Sequence, residues 1–115
     1  MKYEITHYQV IQYAGGRKYP ISAVINLYGK ADAHVGKFKF YRKRDQLPDK
    51  DSKASSGFVT CHLGSEQFIE IVDILRNEKP VYLLYSDEHS LGTIATDAES
   101  VGEEEITDMG FDIDL

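Results

Sequence analysis

Lysines and tyrosines recur in the first half of the chain with a spacing that suits the binding of single-stranded nucleic acid. Between residues 37 and 43 they occupy every second position, which a β-strand would place on one face. Lysine charges follow phosphates, and tyrosine rings stack under bases. The predicted binding face combines this run with nearby basic and aromatic residues: Arg17, Lys18, Tyr28, Lys37, Lys39, Tyr41, Arg42, Lys43 and Arg44.

The same residues also have a purely structural interpretation. Lysines on an outward strand face keep a sheet soluble and discourage association between exposed strands. Tyrosines on such a face are often ordinary cross-strand packing partners. The pattern alone leaves both interpretations open.

Catalytic chemistry has less support in the sequence. Cys61 is the only cysteine, and it falls in a predicted strand, where we expect it to pack as a small buried hydrophobic residue. The four histidines fall in separate predicted elements, without the close spacing of metal ligands. No glycine-rich loop opens a helix to hold a phosphate. We therefore expect no enzymatic activity, no metal and no cofactor.

Charge divides the chain into two unlike halves. The 115 residues carry a formal net charge of -6. Residues 1–53 contain eleven Lys and Arg but five Asp and Glu, whereas residues 54–115 contain two basic and fourteen acidic residues. A chain with this net charge is repelled by nucleic acid at long range, although its first half is positive.

Three functions are compatible with this division. The first is a small, non-enzymatic protein-interaction module, in which the acidic half docks a basic protein partner or mediates self-association with the basic half of another copy. The alternative is a module that binds single-stranded nucleic acid on the basic, tyrosine-rich sheet face. A third is a pocket for a small apolar ligand between sheet and helix.

Residues 97–115 form a predicted acidic tail that holds eight Asp and Glu and no Lys or Arg. In the alternative function this tail would limit non-specific binding by covering the basic face. Its last segment, Met109–Leu115, resembles the acidic, apolar-ended tip of bacterial single-stranded DNA-binding proteins. That resemblance implies recruitment of partner proteins and competition with DNA. The candidate partner-docking residues of the tail are Glu103, Glu104, Glu105, Phe111, Asp112 and Asp114.

Hydrophobic periodicity predicts the elements that position these residues. An apolar stripe with a 3.6-residue period predicts one helix, capped by Ser65 and ended before Pro80. Residues 45–56 are polar and predict a surface loop. Alternating or apolar runs predict strands at 3–13, 20–28, 34–42, 57–63, 81–85 and 91–96.

We therefore predict an α+β fold: a curved antiparallel sheet in the order β-β-β-β-α-β-β, with one helix packed on the face of Ile21 and Phe38. Residues 1–96 would form a single domain, followed by the acidic tail. Four strands and a helix over residues 3–77 resemble the unit of the Whirly, Pur-alpha and positive cofactor 4 group of single-strand binders. This resemblance implies nucleic-acid binding on the sheet.

The composition also indicates a location. No apolar stretch approaches the roughly 18 residues of a membrane span, and the N-terminus lacks the apolar run of a signal peptide. A lone cysteine fits a reducing compartment. We expect a cytoplasmic protein without a membrane partner.

Overall fold

The computed structural model describes residues 1–16, 18–98 and 101, and these residues form an α+β fold of two sheets and one α-helix. The class predicted from the sequence is therefore confirmed. No helix in the described residues is long and apolar enough to cross a membrane. The elements are β1 (Lys2–Ile5), β2 (His7–Gln12), β3 (Ile21–Tyr28), β4 (His34–Tyr41), β5 (Ser52–Lys53), β6 (Val59–Gly64), α1 (Phe68–Asn77), β7 (Val81–Ser86) and β8 (Leu91–Thr96).

The strands are divided between a five-stranded sheet, in the order β2-β3-β4-β6-β5, and a three-stranded sheet, in the order β1-β7-β8. All neighbouring strands are antiparallel except β4 and β6, which run parallel with Phe38 opposite Cys61. The expectation of a single, wholly antiparallel sheet is corrected here. Short turns do join antiparallel neighbours, but residues 42–58 are long enough to carry the chain back for a parallel pairing.

The predicted strand 3–13 is in fact two strands, because the chain changes sheet at Thr6. The Thr6 N–H donates to the Tyr28 carbonyl at 2.9 Å, and its hydroxyl donates to the Gly29 carbonyl at 3.1 Å. β1 then pairs with β7, whereas β2 pairs with β3. This short segment therefore connects the two sheets.

The core lies between one face of the five-stranded sheet and a second layer made of α1 and the three-stranded sheet. Alternate residues of β3 are buried, as their period-2 pattern predicts. Phe40 meets Phe68 of the helix edge to face, with ring centroids 5.2 Å apart. The predicted packing of the helix against the Phe38 face is therefore confirmed. The buried cluster contains Ala23, Ile25, Leu27, Phe38, Phe40, Val59, Cys61, Ile71, Leu75, Val81 and Leu83.

Two glycines allow the layers to approach each other closely. A Cβ atom on Gly36 of β4 would lie 2.8 Å from Cδ2 of Leu83 in β7. A Cβ atom on Gly92 of β8 would overlap the Sγ atom of Cys61 in β6. Side chains at these two positions would push the second sheet away from the first.

The helical segment begins differently from the prediction but ends as expected. Ser65 does not cap the helix; it opens a 3₁₀ turn, Ser65–Gln67, that leads into α1. The N–H of Gly64 is instead satisfied by Oε1 of Gln67 at 3.0 Å. α1 ends at Asn77, in agreement with the effect of Pro80 on the residues before it.

Candidate nucleic-acid interface

The face of the five-stranded sheet opposite the core is called the open face here. The main buried cluster, α1 and the three-stranded sheet all lie on the other face. Strand register aligns side chains across the open face in rows, because directly paired residues point to the same side. It includes Gln9, Ile11, Val24, Asn26, Tyr28, His34, Lys37, Lys39, Thr60 and His62.

Lys37 and Lys39 lie at the centre of the open face. Lys37 lies between Asn26 of β3 and Thr60 of β6. Lys39 lies in the same way between Val24 of β3 and His62 of β6. Neither lysine forms an ion pair with another described residue. The strands of this sheet contain no Asp or Glu. The centre of the face is therefore locally positive, in a chain that is negative overall.

An aromatic cluster occupies one end of the open face. The His34 ring stacks on Tyr28 with centroids 4.8 Å apart, and Phe58 meets His34 edge to face, also at 4.8 Å. Nε2 of His34 lies 3.2 Å from Oδ1 of Asn26, and Asn26 donates through Nδ2 to Gln9 at 3.1 Å. His34 is exposed, so part of this ring system is accessible to a ligand.

His34 is absent from the predicted binding face because a bulge in β4 changes the side of the sheet to which it points. Simple alternation assigned His34 to the face of Phe38. In the structure Leu27 pairs with Gly36 but Tyr28 pairs with His34, so Val35 is the extra residue. Val35 packs against the core and His34 turns to the open face. No local sequence pattern indicates this bulge.

Tyr41 does not serve the predicted role of an exposed stacking platform, because only 7% of its surface is exposed. Its hydroxyl lies 2.8 Å from Nδ1 of His62. Burial lowers the pKa of His62, and Lys39 and Lys37 lower it further, whereas Asp51 opposes them. Either group can donate in this hydrogen bond, depending on the tautomer of the imidazole. Tyr41 therefore orients His62 beside the lysines.

The two predicted arginines after Tyr41 are engaged elsewhere. Arg42 donates through Nε to the Tyr19 carbonyl at 2.9 Å and through Nη2 to the Gly15 carbonyl at 3.3 Å, which ties β4 to the turn after β2. Arg44 pairs with Glu66 at the start of the helical segment. Both side chains support the fold around the site rather than the centre of the open face.

The remaining predicted residues lie at the margin or outside the described part of the chain. Lys18 and Lys43 are exposed, the first in the turn before β3 and the second just after β4. Arg17 is not among the described residues. The same is true of the tail residues proposed for partner docking, Glu103, Glu104, Glu105, Phe111, Asp112 and Asp114.

Asp51 supports the edge of the site by joining the two sheets. Its carboxylate accepts the N–H of His62 in β6 and the N–H of Gly92 in β8, each at 2.8 Å. The Tyr85 hydroxyl donates to its carbonyl at 3.3 Å. In the sequence this residue falls within the predicted surface loop, residues 45–56. An isolated aspartate in such a loop gives no signal of two distant backbone partners.

Cys61 lies beside Asp51, on the core side of β6. It is buried, as predicted, and burial raises the pKa of its thiol well above the ordinary range, with a smaller contribution from Asp51. A protonated, enclosed thiol packs as a hydrophobic group. Among the described residues, no group of three or more His, Cys, Asp or Glu side chains is placed to hold a metal ion.

Comparison with protein-family models, curated proteins and solved structures found no match. Fold and site together define an α+β protein with one sheet face covered and the other open, basic at its centre and aromatic at one end. Its function has to be inferred from that open face.

Proposed function

We propose that the protein binds single-stranded nucleic acid on the open face. The observation that carries this proposal is the position of Lys37 and Lys39 at the centre of a sheet face whose strands contain no acidic residue. Lysines on such a surface follow phosphates without regard to base sequence. The aromatic cluster of Tyr28, His34 and Phe58 supplies rings at one end for bases.

A single strand suits this surface better than a duplex. The bases of a single strand are free to stack on side-chain rings, and each stacked base contributes about 1–3 kcal/mol. Duplex bases are paired and stacked inside the helix, and the major groove admits an α-helix or a two-stranded ribbon. A four-strand-wide face with an exposed His34 ring is broader than such a ribbon.

The net charge of -6 does not preclude this function, because none of the described acids lies in a strand of the five-stranded sheet. Glu70 and Asp73 are on the helix, and Asp87 and Glu88 are in the turn between β7 and β8. At physiological ionic strength charges are screened over about 8 Å. Lysines in direct contact with phosphates therefore dominate affinity, while the distant acids slow association.

Binding of fluorescently labelled oligothymidylate, followed by anisotropy over a series of salt concentrations, tests the proposal. Lys37→Gln and Lys39→Gln should each weaken binding and reduce the slope of log affinity against log salt by about 0.7. Lys79→Gln removes an exposed lysine from the other layer of the molecule and is the matched control. Equal effects at Lys79 and Lys37, or no binding by the wild-type chain, would contradict the proposal.

We expect the acidic tail to compete with nucleic acid for the open face. A chain that ends at Asp97 keeps every strand and the helix and loses seven of the eight tail acids. We expect this shortened chain to bind oligothymidylate several-fold more tightly at low salt, because less negative charge is near the phosphates. An unchanged affinity would show that the tail does not compete for the open face.

The protein-interaction function has a separate observation in its favour. Val10, Ile11, Tyr13 and Tyr19 are all exposed around the outer strand β2. A protein bound there would leave Lys37 and Lys39 accessible. Substitution of the two lysines therefore separates the functions, because it should affect oligonucleotides but not a protein held by β2.

A further inference from the structure

β2 is an edge strand that lacks the usual protection against pairing with another chain. It is the first strand of the five-stranded sheet, and no described strand pairs with its outer side. Natural edge strands commonly carry lysines, prolines or other charges that prevent such pairing. The six residues of β2, His7–Gln12, include no Lys, Arg, Asp, Glu or Pro.

Apolar side chains are exposed on both sides of this edge. Ile11 points to the open face and is 36% exposed. Val10 points to the core side, opposite Ile25, yet it is 40% exposed, whereas Tyr8 on the same side packs against the core. The second layer therefore covers Tyr8 but leaves Val10 uncovered.

We infer that β2 pairs antiparallel with β2 of a second copy of this chain, with Gln9 opposite Gln9 of the second copy. An antiparallel pairing of identical edges has a twofold axis perpendicular to the sheet. Open-face residues of one copy must then lie opposite open-face residues of the other copy, because paired residues point to the same side of a sheet. A register centred on Gln9 satisfies this requirement.

The side chains of β2 favour this register and this occupant. Gln9 can exchange amide hydrogen bonds with its own copy, since Asn26 occupies only one of the acceptor positions on Oε1. Tyr8 would lie opposite Val10, an aromatic and β-branched pair of the kind that stabilises antiparallel strands. The next permitted register, centred on Val10, would place Tyr8 opposite Gln12 instead. An uncharged strand meets its own copy without like-charge repulsion.

The pairing would create a continuous sheet of ten strands, twice the five present in one copy. Because the axis is perpendicular to the sheet, both open faces would lie on the same side. The pairing itself does not depend on the proposed function. If nucleic acid does bind, the dimer offers it two sets of Lys37 and Lys39 on one surface.

Disulfide trapping tests the register directly. Directly opposite antiparallel residues have Cα atoms about 4.5–5.5 Å apart, within the range that a disulfide spans. Gln9→Cys should therefore form a covalent dimer on mild oxidation. Gln12→Cys is the matched control, because its two copies would be about 20 Å apart along the strands. Cys61 is buried and is common to both variants. Equal cross-linking of the two variants, or none at Gln9→Cys, would overturn the inferred register.

Sedimentation velocity without nucleic acid tests the association itself. The wild-type chain should shift from monomer to dimer as its concentration rises. Val10→Lys should weaken the dimer about tenfold, because each dimer loses two Tyr8 to Val10 pairs and gains two charges at the edge. Ile69→Lys, at a helix position that is 70% exposed, should leave the dimer unchanged. A wild-type chain that stays monomeric at all concentrations overturns the inference whether or not oligonucleotides bind.

Discussion

The two faces of the five-stranded sheet are built from neighbouring residues but have opposite chemistry. On the core side, Phe38 and Phe40 are almost fully buried against α1 and β7. On the open side, Lys37 and Lys39 stand among polar and aromatic side chains. The strand period of two is sufficient to separate a hydrophobic core from a basic surface within one strand. Position within the strand, rather than distance along the chain, therefore determines which side chains pack in the core and which are presented at the surface.

The largest difference in stability is expected between substitutions at Phe38 and at Lys39, which lie in the same strand. Phe38→Ala should lower the free energy of unfolding by about 3–5 kcal/mol, because it empties a buried site. Lys39→Gln should change it by less than about 0.5 kcal/mol, because the side chain is at the surface. Urea denaturation measures both. A similar loss of stability for the two variants would show that the open face also has a structural role.

A smaller effect is expected at the residue that joins the two layers. Asp51→Ala removes the acceptor for the N–H groups of His62 and Gly92, and we expect a loss of about 1–3 kcal/mol. Asp45→Ala, at an exposed position in the short 3₁₀ turn Arg44–Gln46, is the control and should be nearly neutral. The same urea titrations provide the values. An Asp51→Ala variant as stable as the control would mean that the sheets hold together without this link.

The smallest effect concerns pH and His62. Because its pKa is lowered in the folded chain, the unfolded chain takes up a proton first as the pH falls below about 6.5. The contribution of His62 to stability is therefore complete above that pH and is lost as the pH falls through its folded pKa. His62→Gln should flatten this part of the stability profile, whereas His89→Gln, in the exposed turn before β8, should not. If stability depends on pH in the same way in the wild type and in His62→Gln, the proposed contribution of His62 is contradicted.

Local patterns in the sequence predicted the parts of the fold that depend on local chemistry. The alternation of Ile21 to Tyr28 predicted a half-buried strand, and the stripe that includes Ile71 and Leu75 predicted the buried side of the helix. Both are confirmed. These patterns are produced directly by burial of one side of a regular element.

The features that the sequence did not predict depend on partners far away in the chain. The sheet change at Thr6 and the parallel pairing of β4 with β6 are decided by which strands meet in three dimensions. The bulge at Val35 reverses the side of His34, and burial of Tyr41 beside His62 removes a predicted stacking residue. Sequence periodicity depends only on the spacing of residue types, so it does not show where a bulge occurs or what covers a side chain. Consequently, Lys37, Lys39 and Tyr28 of the predicted site lie on the open face as expected, whereas Arg42 and Arg44 do not.

The most direct test of the central claim is a nuclear magnetic resonance titration of the ¹⁵N-labelled chain with oligothymidylate. If the open face binds single-stranded nucleic acid, amide signals of this face, such as those of Asn26, Lys37 and Thr60, should shift progressively and recover at high salt. Signals of the helix around Asp73 should stay in place. Shifts confined to the helix and the three-stranded sheet, or no shifts at low salt, would contradict the claim that the open face binds single-stranded nucleic acid.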